Sequence, residues 1–424
     1  MKHAAMLAVG VAAVFLSATR PPVRALPACD SDNGGITLPA GFCAVVVADQ
    51  VGAPRHLAVA SNGDLFVALA GRRGGAGGIL ALRDTSGDGK ADVQQTFGSE
   101  GGTGIALAKG ALYLGTASTV YRYAMRAGSL APLGAPDVIV KDLPVGGHSA
   151  KNLALAPDGR TLFVNIGSAT NSCQVADRSN ESRGEDPCPE LAYRAGVWRF
   201  DATQHDQTRT SGTRFATGIR NAVGLAFAPS GELYATQHGR DQLGQNWSKL
   251  FTVEQSAEKP SEEFFKLSEG DDYGWPYCYH DAELGHLVLA PEYGGDGKQV
   301  GRCTDKKEPL VVFPAHWAPD GLTFYSGTQF PARYRAGAFV AFHGSWNRAP
   351  LPQAGYRVVF VPFKDGKPVG TYETFADGFW KEDPAGPKHR PVGVAVGPDG
   401  SLYITDDAAG RIWRVMYTGG SGRQ

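Results

Sequence analysis

Six stretches of the chain share one pattern: a short apolar run, a polar residue followed by Gly, and a return run of alternating, β-branched or aromatic residues. They read LAVASNGDLFVAL at Asn62-Gly63, IALAKGALYLGT at Lys109-Gly110, LALAPDGRTLFVNIG at Asp158-Gly159, LAFAPSGELYATQHG at Ser230-Gly231, WAPDGLTFYSG at Asp320-Gly321 and VAVGPDGSLYITD at Asp399-Gly400. Pro or Ala presets the first turn position, Asp, Asn or Ser bonds back to the backbone, and Gly takes a positive φ before the return strand. Each copy therefore predicts strand, tight turn, strand. The turn glycines recur every 47 to 90 residues, about one propeller blade with insertions in the later copies. A lone hairpin leaves its faces wet and its edges unpaired, so radial packing into a closed ring is the expected solution. The prediction is an all-β, six-bladed β-propeller spanning residues 28–418. Segments near Phe42–Val47 and Arg411–Met416 are expected to meet in one blade and close it. Three stretches, Cys173–Tyr193, Gln242–Gly270 and Tyr277–Lys307, are too long for hairpin turns and are expected to build up one face.

Composition narrows the class. With 56 Gly and 27 Pro among 424 residues a helical bundle is excluded, and 41 basic against 42 acidic residues provide no field directed at nucleic acid or anionic lipid. Residues 1–25 differ from the rest: Lys2 and His3 precede an uncharged run from Ala4 to Ala18, and Arg20 and Arg24 follow. This reads as a secretory signal peptide, too short for a membrane span, ahead of a single domain over 26–424 with a loose Gly- and Ser-rich tail from Thr418. The expected location is periplasmic or secreted, without stable membrane insertion. All six cysteines lie beyond residue 25 as three sequence-near couples, which suggests disulfides 29–43, 173–188 and 278–303.

Four clusters carry candidate chemistry. Gly146 to Asn152 presents His148 just before a strand, where an imidazole can act as a base. Thr217 to Asn221 places Arg220 and Asn221 at the equivalent point of the next copy, suited to polarising an oxygen anion or holding a carboxylate. Thr236 to Asp241, with Asn246 and Asp271 to Pro276, offers oxygens for a hard cation such as calcium. His343 to Arg348 joins an aromatic face to a cation. Asp84 to Asp92 spaces oxygens like a calcium loop without its terminal Glu and reads as a solvated hairpin tip. Serine-hydrolase, phosphate-loop, Rossmann and covalent-haem motifs are absent.

The stretches GHSAKNLALAPDGRTLFVNIGS, TGIRNAVGLAFAPSGELYATQHG, DYGWP, FHGSWNR and HRPVGVAVGPDGSLYITDDAAGRIWRV, in this order across residues 40–417, resemble the glucose/sorbosone dehydrogenase family, and its sorbosone-dehydrogenase-like branch in particular. That family consists of soluble six-bladed sugar dehydrogenases that use pyrroloquinoline quinone (PQQ). The resemblance implies that His148 is the base taking the proton from a sugar hydroxyl while hydride passes to the quinone, and that Arg220 polarises a quinone oxygen beside Asn221. It implies that the backbone carbonyls of Gly239 and Arg240 hold Ca2+, and that Arg390 binds a cofactor carboxylate. Arg348 and Lys151 are further candidates by chemistry. Three positions depart from the family: Ser168 stands where an Asp orients the base, Arg240 where the glucose enzymes have a Pro, and Val392 where they carry a second cofactor arginine.

The expectation is an exported, PQQ- and calcium-dependent dehydrogenase that oxidises an aldose or sugar aldehyde and passes electrons to a respiratory acceptor, a quinone or a cytochrome. The alternative is a non-catalytic propeller that binds carbohydrate or protein. A metal-dependent lactonase would need an acidic metal cage at the axis, and no obvious Glu and Asp set marks one.

Overall fold

The computed structural model describes residues 26–71, 75–380 and 388–419; the signal-peptide reading and the last five residues lie outside them. Six antiparallel sheets of at least four strands carry almost all of the regular structure. Blade 1 runs through Pro54–Val59, Leu65–Ala70, Gly77–Arg83 and Val93–Phe97. Blade 2 is Gly102–Ala108, Ala111–Thr116, Val120–Ala124 and Asp137–Lys141, with Gln207–Thr208 added in parallel at its edge. Blade 3 comprises Leu153–Leu155, Thr161–Ile166, Gly196–Asp201 and Thr213–Thr217. Blade 4 comprises Leu225–Phe227, Leu233–Gln237, Glu262–Leu267 and Val311–Phe313. In blade 5 Pro319–Phe324, Gly337–Phe342, Arg357–Lys364 and Glu373–Ala376 follow one another. Blade 6 takes Pro391–Val396, Leu402–Asp406 and Arg411–Tyr417 from the end of the chain and Phe42–Ala48 from its start. The first strand of each blade touches the first strand of the next all the way round, so the ring closes.

Both faces of every blade are covered by a neighbouring blade, which accounts for the near-continuous burial of strands such as Leu65–Leu69. The core is accordingly split into six main clusters, one per interface. Phe66, Ala68 and Ile79 of blade 1, for example, pack on Ile105, Leu112 and Leu114 of blade 2. Near the axis the inner strands come close enough to require glycine: a Cβ on Gly321 would sit 2.1 Å from the carbonyl oxygen of Val392, and one on Gly104 2.4 Å from that of Lys151. Closure follows the expected pairing, with Phe42 opposite Tyr417 and Val45 opposite Arg414. All three expected disulfides are present. Asp84 to Asp92 forms the hairpin tip between the last two strands of blade 1.

Two expectations need correction. Five of the six Gly turns join the first two strands of a blade, but Asp320-Gly321 lies inside the first strand of blade 5, whose turn is the longer segment 325–336. Gly321 serves there to admit Val392, and Asp320 faces the axial cluster described below. The stretch Gln242–Gly270 is also not wholly an insertion. Two short helices, Leu243–Asn246 and Val253–Glu258, precede Glu262–Leu267, which is the third strand of blade 4.

Candidate active site

The start of a blade's first strand and the end of its antiparallel second strand lie at the same end of the sheet. Residues just before the first strand and just after the second therefore converge at one mouth of the axis. Blade 3 brings His148 to Asn152 and Gly167 to Ser172 there, and blade 4 brings Ile219 to Val223 and His238 to Asp241. Blade 5 adds Asp320 and His343 to Asn347, and blade 6 adds Arg390 and Asp407.

Ser168 joins the two central residues. The His148 N–H donates to the Ser168 carbonyl at 2.9 Å, and the Ser168 N–H donates to the Arg220 carbonyl at 2.8 Å. The Nδ1 of His148 lies 2.9 Å from Ser168 Oγ and 3.1 Å from the Ser168 carbonyl oxygen. A carbonyl only accepts, and Ser168 Oγ donates its own proton to the Thr170 carbonyl at 2.7 Å. Nδ1 must therefore carry the hydrogen, which leaves a lone pair on Nε2, an atom engaged by no hydrogen bond among the described residues. Ser168 thus fixes the base tautomer without supplying a charge. Burial, reinforced by the Arg220 guanidinium, holds the His148 pKa well below the usual imidazole value.

Arg220 is buried and held on several sides. Its Nε donates to the Asn171 carbonyl at 3.1 Å and its Nη1 to the Gly239 carbonyl at 2.8 Å. Its Nη2 donates to Asn171 Oδ1 at 3.0 Å and to Asp241 Oδ2 at 2.9 Å. Four of its five N–H groups are thereby engaged, and one on Nη1 remains for a ligand oxygen. Asn171 also accepts from the Asp241 N–H and from Trp275 Nε1, both at 2.9 Å. It ties the Gly-Trp-Pro motif to the arginine. Asp241 receives Arg178 at 3.0 Å and Asn347 Nδ2 at 2.8 Å as well. Although burial opposes ionisation, Arg220 and its other cationic neighbours keep its pKa far below the ordinary carboxylate range.

A second buried network completes the mouth. Arg55 bridges Asp320 at 2.9 Å and Asp407 at 2.7 Å. His343 Nε2 lies 2.8 Å from Asp407 Oδ1, and His238 Nε2 lies 3.0 Å from Asp320 Oδ1. The Arg390 guanidinium donates to the carbonyls of His343 at 3.0 Å and Gly344 at 2.6 Å and has no carboxylate partner among the described residues, while its backbone N–H donates to Asp406 at 2.7 Å. Lys151 is fully buried with Nζ on the Ser149 carbonyl at 2.9 Å; burial, with help from Arg194, pushes its pKa down to about 7. Asn221 is buried beside Asn165, and its carbonyl accepts from the His238 N–H. Arg348 is directed elsewhere: it donates to the carbonyls of Ala257 and Ala315, both at 3.1 Å, and so secures the helix Val253–Glu258. Val392 is fully buried, with its carbonyl against Gly321 of blade 5.

These groups can be tested against the cofactors that the resemblance implies. The free Nε2 of His148, the spare N–H of Arg220, and the side chains of Arg390 and Lys151, which have no carboxylate partner among the described residues, suit a flat, anionic quinone. No group of three or more His, Cys, Asp or Glu able to hold a metal occurs among the described residues. A cation would rest on main-chain oxygens. The Arg240 carbonyl accepts no hydrogen bond among the described residues, and that of Gly239 has one lone pair left beside the Arg220 bond, so both remain usable as ligands.

A family model described as TrAA12-like matches residues 36–418. The chain belongs to the TrAA12-like family. An uncharacterized protein of Borreliella burgdorferi is 33% identical over 207 residues, 48% of each chain. A pyrroloquinoline quinone-dependent pyranose dehydrogenase of Coprinopsis cinerea is 25% identical over 292 residues, 56% of this chain and 37% of that protein. The match spans less than half the length of either relative. Among solved structures, the holo form of the PQQ domain of the C. cinerea pyranose dehydrogenase has TM-score 0.74 at 18% identity, covering 90% of this chain and 97% of that one. A calcium structure of the Trichoderma reesei enzyme of carbohydrate-active family AA12 has TM-score 0.73 at 21% identity with the same coverage. Both likenesses support the six-bladed fold of this TrAA12-like chain.

The residues that sequence reasoning missed are Asn171, Arg55 and Asp407, together with the axial roles of Asp241 and Asp320. Asn171 and Asp407 lie just beyond the end of a second strand, the place from which His238 and His343 also reach the mouth. That position is the signal that finds them.

Proposed function

We propose that this TrAA12-like protein is an exported PQQ- and calcium-dependent dehydrogenase that oxidises an aldose or sugar aldehyde. The observation that carries the proposal is His148 with Nδ1 protonated and Nε2 free, one Ser168 bridge away from Arg220. When bound, PQQ would supply a two-electron acceptor and Ca2+ a Lewis acid. His148 Nε2 takes the proton of the substrate hydroxyl, and its depressed pKa keeps it neutral before the reaction. The spare N–H of Arg220 would polarise the oxygen placed against it, and Arg390 and the buried Lys151 would hold carboxylates, with Asn221 beside them. The carbonyls of Gly239 and Arg240 would hold the metal. Arg348 supports the wall through the 253–258 helix.

Titration of the purified mature protein with PQQ and Ca2+, followed by dye reduction over a panel of sugars, tests this reading. Binding heat, an absorbance change and sugar-dependent turnover are expected, with turnover lost in His148→Ala while the circular-dichroism spectrum is kept. Absence of any cofactor binding would leave a carbohydrate- or protein-binding propeller, the reading favoured by the burial of Val392 where the glucose enzymes carry an arginine.

A further inference from the structure

The segment that leads into His148 is loosely built by itself. Gly146 and Gly147 precede the base at φ +78° and +57°, a region that glycine enters without cost. From Pro144 to Gly147 only two hydrogen bonds reach another part of the chain among the described residues, and both come from Arg194. Arg194 follows the short helical turn Pro189–Ala192 and is 4% exposed. Its Nη1 donates to the Val145 carbonyl at 3.1 Å and its Nη2 to that of Gly146 at 2.6 Å. The same guanidinium reaches a second loop, where Nε donates to the Gly167 carbonyl at 2.8 Å and Nη2 to that of Ser168 at 3.4 Å. One planar fork therefore spans the loop that ends in His148 and the loop whose Ser168 holds His148 Nδ1.

A buried cation ordinarily finds a carboxylate. Arg194 makes no salt bridge among the described residues, and all four of its bonds go to carbonyls. Glu190, four residues earlier and also buried, is likewise turned to the second loop: its carboxylate accepts from the Ala169 N–H at 2.5 Å and from the Thr170 hydroxyl. Burial disfavours the Arg194 charge, and Glu190 offsets this only in part. An apolar residue of the same length would avoid that cost, but it could not hold four carbonyls of two loops from one rigid group. The loops also lie close together, since a Cβ on Gly167 would sit 2.7 Å from His148 Cβ. A small separation of the two would break the Nδ1 contacts at 2.9 and 3.1 Å.

We propose that Arg194 is a positioning residue that locks residues 145–147 to Gly167 and Ser168 and so holds His148 in the Nδ1–H form with Nε2 free. Its effect on turnover rests on the sugar-oxidation reading; its hold on His148 does not. Cofactor-free mature protein labelled with 15N-histidine gives the direct test, the His148 signals being assigned by their absence in His148→Gln. The parent is expected to show a single Nδ1–H pattern. Arg194→Met keeps the buried stem and removes the fork, and tautomer-averaged shifts are expected. Arg194→Lys keeps the charge but cannot bridge both loops; it serves equally if the methionine variant fails to fold, and the same averaging is expected. With PQQ, Ca2+ and sugar, kcat of either variant is expected to fall about a hundredfold while KM changes less than about threefold. A folded variant with His148 still fixed as Nδ1–H, averaging already present in the parent, or a loss confined to KM would each overturn the role given to Arg194. Failure to bind PQQ would remove the dehydrogenase reading and leave the tautomer comparison to decide this one.

Discussion

Asn171→Ala is the most informative single change at the mouth, because one amide restrains both members of the central ion pair. Its Oδ1 accepts from Arg220 Nη2 at 3.0 Å and from the Asp241 N–H at 2.9 Å, and its Nδ2 donates to the Asp241 carbonyl at 2.9 Å. Asn171 is 1% exposed, so truncation leaves three polar groups short of a partner in a nearly dry setting. Each orphaned group costs about 1–3 kcal/mol, and a water entering the space left by the amide keeps the total near the low end, about 3 kcal/mol. Arg220 also loses a lateral restraint while keeping Asp241, so its guanidinium gains freedom to swing. Urea unfolding followed by tryptophan fluorescence should show the midpoint fall with little change in slope, and PQQ affinity should drop at least about tenfold. A loss below about 1 kcal/mol together with unaltered affinity would show that Asp241 alone holds Arg220, and the role given to Asn171 would be wrong.

Three other outcomes are expected. In Ser168→Asp a full charge beside Nδ1 raises the His148 pKa, so the acid limb of the kcat/KM profile, which in the parent falls off only well below the usual imidazole range, moves up by about one pH unit or more; an unmoved limb removes His148 as the base. Glu263 binds its proton more tightly folded, at about 8, than unfolded, near 4.5. Its contribution is complete below the unfolded value and is lost as pH rises through the folded one, at most about 5 kcal/mol in all. Glu263→Gln removes that slope, so denaturation midpoints of variant and parent should agree near pH 5, and the variant should be the more stable at pH 9. The double variant Cys173→Ser, Cys188→Ser opens a link across 15 residues and should cost about 3 kcal/mol in chemical unfolding. Because that link follows directly on Ser168–Ser172, it should also weaken PQQ binding in calorimetry.

The blades were legible because their turns are chemical. Asn62-Gly63, Lys109-Gly110, Asp158-Gly159, Ser230-Gly231 and Asp399-Gly400 each join a first strand to a second. Asp320-Gly321 has the same letters with a different cause: the glycine admits a neighbouring backbone, and the aspartate is buried against Arg55 and His238. The Glu262-Glu263 strand escaped notice because two adjacent carboxylates read as solvated. Here burial is compensated: Glu262 accepts from the N–H groups of Gly239 at 2.8 Å and Ala318 at 3.2 Å, and Glu263 is held by Gln237. At the mouth, His148, Arg220 and Asn221 were readable from their place before an inner strand. Asn171 was not, since its partners lie in blade 4 and beyond, and no local spacing encodes a contact between remote segments.

Phe42–Ala48 is made more than 360 residues before its partner Arg411–Tyr417. The growing polypeptide must therefore keep this strand unpaired until residues 411–417 have been made. Premature association of that strand with another copy is the hazard this order creates. Joining Phe42 and Tyr417 by a short linker, with new ends opened at the exposed Gly128 turn, would give a permutant in which the sixth blade forms from contiguous sequence. Such a protein should reach its native state faster and aggregate less on the way.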